Sequence, residues 1–131
     1  MATVLVVDDE FGIAELFAAI LEDEGHRVLT ASNGRHGLEV LAKERPDLVF
    51  VDFMMPVMDG ANMLRQMTAD QKLHHIPVVM MSAIPEAAVA ERCSGYVKFM
   101  RKPFYVSQVM DVIESLVGKS GQSVDNLPAP G

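Results

Sequence analysis

The stretch Leu48-Val49-Phe50-Val51-Asp52-Phe53-Met54-Met55-Pro56-Val57-Met58-Asp59-Gly60 constrains this chain more than any other. Its four leading apolar residues, two of them valine, predict a strand buried on both faces, as in a parallel sheet covered on two sides. The run ends in a carboxylate, Asp52, and Pro56 and Asp59-Gly60 supply turn chemistry before helical periodicity resumes at Ala61. Open α/β sheets place their sites in the crevice outside the carboxyl ends of the strands, which makes Asp52 a candidate. Asp8, Asp9, Ser82 and Lys102 also follow apolar, strand-like runs. Parallel strands bring all five residues to one edge.

The remaining pattern agrees with that placement. Strands are predicted over Thr3–Val7, Arg27–Ala31, Asp47–Val51, Ile76–Met81 and Tyr96–Met100, from β-branched and apolar runs bounded by turn residues. Helices are predicted over Phe11–Glu24, His36–Glu44, Ala61–Ala69, Glu86–Arg92 and Tyr105–Val117. In the first helix Phe11, Ile13, Ala14, Leu16, Phe17, Ile20 and Leu21 recur at helical spacing; Asp8 or Asp9 is placed to cap it and Gly25 to end it. In the last, Val106, Val109, Met110, Ile113 and Val117 share a face. Five strand–helix alternations predict an α/β fold: a doubly wound, five-stranded parallel sheet with helices on both faces and right-handed crossovers. Periodicity stops at Gly118, so residues 1–118 read as one domain and residues 119–131, rich in Gly, Ser and Pro, as a flexible tail.

Half of the 131 residues are hydrophobic, enough for one domain with a real core. The formal net charge of −7 argues against direct nucleic-acid binding, because phosphate backbones demand basic patches. A single cysteine, Cys93, excludes an internal disulfide and suits a reducing compartment. No apolar run approaches the roughly 18–20 residues of a membrane span, and the N-terminus lacks the basic region of a signal peptide. The expectation is a cytoplasmic protein with no membrane insertion.

Asp8, Asp9 and Asp52 at neighbouring strand ends form a carboxylate cluster, and like charges that close need a cation. Hard oxygen ligands without histidine or thiol favour Mg²⁺. A carboxylate is also a nucleophile able to form an aspartyl phosphate. Lys102 offers a positive point charge for a phosphoryl group and Ser82 a hydroxyl donor. Taken singly, each has a plainer reading: the acids as helix caps, Ser82 as a cap, Lys102 as a solvated lysine. Their joint placement at four strand ends outweighs that.

The motifs Val6-Val7-Asp8-Asp9-Glu10, Asp52 through Gly60, Met81-Ser82-Ala83 and Lys102-Pro103-Phe104 resemble the receiver domain of two-component response regulators, and the likeness covers Val4 to Val117. The resemblance implies the flavodoxin-like strand order 2-1-3-4-5. It implies that Asp52 is the phosphoacceptor and that Asp8 and Asp9 hold Mg²⁺, with the backbone carbonyl of Met54 completing the protein ligands. Ser82 and Lys102 then contact the phosphoryl oxygens, and Phe99 is the rotating switch aromatic. It further implies a cis Lys102-Pro103 bond, a histidine kinase or histidine phosphotransfer protein as phosphodonor, and a downstream protein target. The chain departs from the pattern in a short segment between Ser82 and Phe99, in Tyr96 where a small residue is usual, and in a tail where an effector domain usually follows.

Other readings fare worse. An aspartyl-phosphate phosphatase of the dehalogenase type needs a second acid two residues past its nucleophile, and that position is Met54. Turnover of external substrates is therefore not expected, only self-phosphorylation and self-dephosphorylation. A flavin carrier on the same fold would meet repulsion between Asp8-Asp9-Glu10 and the flavin phosphate. The methionines read as packing, His74-His75 as a solvated pair and Cys93 as inert.

Overall fold

The computed structural model describes residues 1–117; the segment read from sequence as a tail lies outside the described residues. The elements alternate as β1 (Thr3–Val7), α1 (Phe11–Asp23), β2 (Arg27–Ala31), α2 (Gly34–Lys43), β3 (Leu48–Asp52), α3 (Gly60–Ala69), β4 (Val78–Ser82), α4 (Glu86–Ala90), β5 (Lys98–Arg101) and α5 (Val106–Val117). All strand pairs are parallel, in the order β2-β1-β3-β4-β5. This is the expected doubly wound α/β arrangement.

Strand alternation divides the apolar residues between two cores. Leu5 and Val7 of β1, Val49 and Val51 of β3 and Met80 of β4 face the side covered by α2 and α3, where Leu41, Met63, Leu64 and Met67 meet them. Val4, Val6, Leu48, Phe50, Val79 and Met81 face the opposite side, under Phe17 and Leu21 of α1 and Val109 and Ile113 of α5. Every residue of β3 and β4 is buried, which is why both read as unbroken apolar runs. Phe17 packs edge-on against Phe50 at 4.8 Å and Phe104 at 5.7 Å, pinning the chain beyond Lys102 onto α1. Among the described residues no helix is long and apolar enough to cross a membrane.

Element ends differ from expectation where a cap or a proline decides them. Helix α2 starts at Gly34, two residues early, because the Asn33 side chain accepts the His36 N–H. Asp59 does the same for Asn62 and starts α3 at Gly60. Neither Asp8 nor Asp9 caps α1: its N-cap is Glu10, whose side chain makes no capping bond. Gly25, at φ +88°, ends α1 as expected, with its own N–H on Glu22 and the His26 N–H on Leu21 in a Schellman arrangement. Strand β4 begins after Pro77, which has no N–H to give a ladder. Strand β5 is Lys98–Arg101 rather than Tyr96–Met100, and α4 stops at Ala90. Phe11, Leu16 and Val106 follow helical spacing yet stand exposed. Phe11 and Val106 open their helices, where the first turn has less sheet beneath it.

Gly60 fixes the chain beside the end of β3. Its N–H donates to the Phe53 carbonyl at 3.0 Å, and a Cβ there would lie 2.4 Å from the Asp52 carbonyl oxygen. Backbone cannot retreat as a flexible side chain does. Gly60→Ala is expected to lower unfolding free energy by about 1–3 kcal/mol, measured by urea denaturation, and to displace Asp52. A variant as stable as wild type would show that the β3–α3 connection relaxes freely.

Candidate functional site

The sheet delivers four strand ends to one edge. Asp8 follows β1 and its N–H donates to the Ala31 carbonyl at 3.0 Å. Asp52 is the last residue of β3 and Ser82 the last of β4, each buried. Lys102 follows β5, its N–H donating to the Ser82 carbonyl at 2.8 Å. The Lys102-Pro103 bond is cis, as the resemblance implied.

The charged groups meet there. The Lys102 ammonium lies 2.8 Å from Asp8 Oδ2, 2.9 Å from Glu10 Oε1 and 3.5 Å from Asp52 Oδ2. The other Asp8 oxygen, Oδ1, accepts the Glu10 N–H at 2.9 Å. Burial, and then the neighbouring Asp8 charge, push the Asp52 carboxyl up to about 6, with Lys102 pulling the other way. For Lys102 burial alone acts downward, but the hydrogen bonds to Asp8 and Glu10 and the nearby Asp52 charge outweigh it and raise the ammonium above its ordinary value.

Asp8, Asp9 and Asp52 each offer a carboxylate oxygen, all within 4.8 Å of one another, and among the described residues no other such group of three appears. Asp9 is exposed, whereas Asp8 and Asp52 are buried. An all-oxygen, hard donor set of this size fits Mg²⁺. Met54 is exposed two residues past Asp52, on a cavity of about 400 Å³ that Asp9, Asp59 and Arg92 also line. Ser82 Oγ accepts the Ile84 N–H at 3.0 Å, which leaves its hydroxyl proton free to point elsewhere.

Phe99 lies on β5, half-buried against the α2–α3 core, beside Tyr96 at 6.2 Å between ring centroids. The Tyr96 hydroxyl, two residues before β5, donates to Glu86 Oε2 at 3.1 Å and so ties the entry to β5 to the start of α4. His74 and His75 contact each other and sit apart from the acids. Cys93 is half-buried, and burial pushes its thiol up, away from reactivity.

Three contacts had no reading from sequence. Glu10 stood inside an acidic triplet without a role of its own, yet it holds Lys102. Arg101 Nε donates to the Ala83 carbonyl at 2.9 Å, bracing the loop after Ser82. Arg92 lies over the Phe53 ring, 6.0 Å from its centroid. The lone signal for Glu10 was its adjacency to Asp9; the arginines carried none.

The raised Asp52 carboxyl has a stability consequence with a definite sign. Its proton is held more tightly in the folded chain than at the ordinary value of 3.8, so the contribution is complete below about pH 4 and is lost as pH rises through about 6. Near neutral pH the buried charge costs stability. Asp52→Asn is expected to exceed wild type by about 1–3 kcal/mol near pH 7.5 without divalent cations, the gap closing below about pH 5. Urea titrations at several pH values measure it; a gap independent of pH would refute the burial account.

The comparisons with known proteins agree with this geometry. A family model described as the response regulator receiver domain matches residues 4–114. The chain is 33% identical over 113 residues to the sporulation initiation phosphotransferase F of Bacillus subtilis, covering 85% of this chain and 90% of that protein. The solved chemotaxis response regulator CheY4 of Vibrio cholerae is 28% identical, with a TM-score of 0.82, covering 89% of this chain and 99% of that one. The receiver domain of the Pseudomonas aeruginosa PAO1 sensor histidine kinase PA1611, solved with a magnesium ion in its active-site cleft, superposes with a TM-score of 0.82 at 22% identity, covering 90% and 98% of the two chains. With the sheet order, the strand-end acids and the family match in agreement, the chain belongs to the response regulator receiver domains of two-component systems.

Proposed function

We propose that this chain is a phosphorylation-controlled switch, in which Asp52 accepts a phosphoryl group from a histidine kinase or histidine phosphotransfer protein and the altered surface engages a downstream protein. The observation that carries the reading is the buried Asp52 carboxylate, 3.5 Å from Lys102 and clustered with Asp8 and Asp9. An Asp52 oxygen attacks phosphorus in line, the bond to the donor nitrogen breaks, and the electron pair leaves on the imidazole. Lys102 turns its ammonium to a phosphoryl oxygen, and the Ser82 hydroxyl donates to another. Asp8, Asp9, Asp52 and the Met54 carbonyl would hold Mg²⁺, which would supply charge neutralisation when bound. No external substrate is turned over. We assign residues 1–118 to this receiver domain and place it in the cytoplasm.

Ser82 drawn toward the phosphoryl oxygens gives up its bond from the Ile84 N–H and frees the loop that Arg101 braces. Phe99, with Tyr96 against it, is the aromatic that fills the vacated space and carries the change to α4.

Intact mass after treatment with an acyl phosphate and Mg²⁺ tests the assignment: wild type gains one phosphoryl group and Asp52→Asn none. Phosphorylation of that variant at wild-type stoichiometry would place the acceptor elsewhere.

The lifetime of the phosphoryl group follows from the rim of the site. Hydrolysis needs a water held in line with phosphorus. Met54 and Ile84, each two residues past a site residue, are apolar and offer that water no hydrogen bond. Replacing both, Met54→Asn with Ile84→Glu, is expected to speed loss of phosphate about three- to ten-fold, since general acid–base and positioning effects of this kind reach larger values in full active sites. Unchanged decay would mean that these side chains do not set the rate.

A further inference from the structure

We infer that Glu10 is a positioning residue: it holds the Lys102 ammonium at the mouth of the site and so makes room for a divalent cation among Asp8, Asp9 and Asp52. This rests on the proposed cation site. Glu10 occupies the N-cap of α1, but its side chain makes no capping bond; it reaches Lys102 Nζ at 2.9 Å instead. Its backbone is fixed at both sides, with its N–H on Asp8 Oδ1 and its carbonyl accepting from Ile13 at 3.0 Å. The carboxylate is therefore presented from a rigid base.

Its position differs from that of the other acids. The Glu10 side chain is 64% exposed, against 0% for Asp8 and 10% for Asp52. Glu10 is absent from the group whose oxygens lie within 4.8 Å of one another, so it does not share their cation. Lys102 is contested between the two places: Asp8 at 2.8 Å and Asp52 at 3.5 Å inside, Glu10 outside. A dication entering the cluster repels an ammonium this close. With Glu10 present, Lys102 retreats and keeps a charged partner. Without it, Lys102 has only the carboxylates that the cation itself needs, and the two positive charges compete for them.

The test is a Mg²⁺ titration followed through amide ¹H–¹⁵N shifts, on wild type, Glu10→Gln, Lys102→Met and the double variant. Glu10→Gln is expected to raise the Mg²⁺ dissociation constant about five-fold, and by less than about two-fold once Lys102 is gone, the signature of a coupled pair. Glu10→Asp keeps the charge and withdraws the carboxylate by one methylene; it is expected to fall between wild type and Glu10→Gln, which reads the contact without altering Lys102. Equal fold-changes with and without Lys102, together with a wild-type constant for Glu10→Asp, would reduce Glu10 to a remote charge and overturn the inference. A Glu10→Gln protein that binds as wild type does overturns it too. A wild type that gives no titration at all overturns the cation site itself, a separate failure.

Discussion

The Lys102 ammonium among three carboxylates is the interaction on which the rest of the arrangement depends. Asp8 and Asp52 are both buried, and their charges stand within the reach of one ligand sphere. Buried like charges are tolerated only with a cation between them. Lys102 comes from the far end of the sequence, 94 residues from Asp8, and reaches it because β1, β3, β4 and β5 are consecutive in the sheet. The two apolar cores secure that order, since a slip in any strand would turn its side chains to the wrong layer. Packing on both faces thus places charges at the edge.

Much of this was legible in the sequence because burial on both faces leaves a plain signature. β3 and β4 read as apolar runs, and the acid or hydroxyl ending each run marked the sheet edge. The strand-end site residues followed from that single idea. Element ends were less legible, since they depend on individual bonds such as Asn33 to His36 or on the missing N–H of Pro77. Helical spacing names a stripe but not where the sheet beneath it stops, so Phe11 and Val106, which open their helices, follow the spacing yet stand exposed. Glu10, Arg92 and Arg101 act through side-chain reach, and reach has no period.

Tyr96 links α4 to the chain entering β5. Helix α4 spans only Glu86–Ala90, too little to be stable without support. The Tyr96 hydroxyl on Glu86 supplies one tie, and Val89 in the core another. Tyr96 in turn lies against Phe99. Tyr96 therefore links the Phe99 ring to the first turn of α4 through one hydrogen bond. Such a coupling is cheap to break, and regions with few buried contacts are those that move.

The same charge arrangement separates the roles of the two buried acids. Asp8 is engaged through both oxygens, Oδ1 by the Glu10 N–H at 2.9 Å and Oδ2 by Lys102 at 2.8 Å. Asp52 stands farther from the ammonium, at 3.5 Å, and its carboxyl is raised by burial and by Asp8. An engaged carboxylate is a poor nucleophile, because its lone pairs are already committed to donors. A carboxylate with fewer donors keeps more of its lone-pair density available for attack. Asp8 is thus held from both sides and Asp52 more loosely, a difference that fits the proposed acceptor role of Asp52 and arises from which carboxylate Lys102 and the Glu10 backbone reach first.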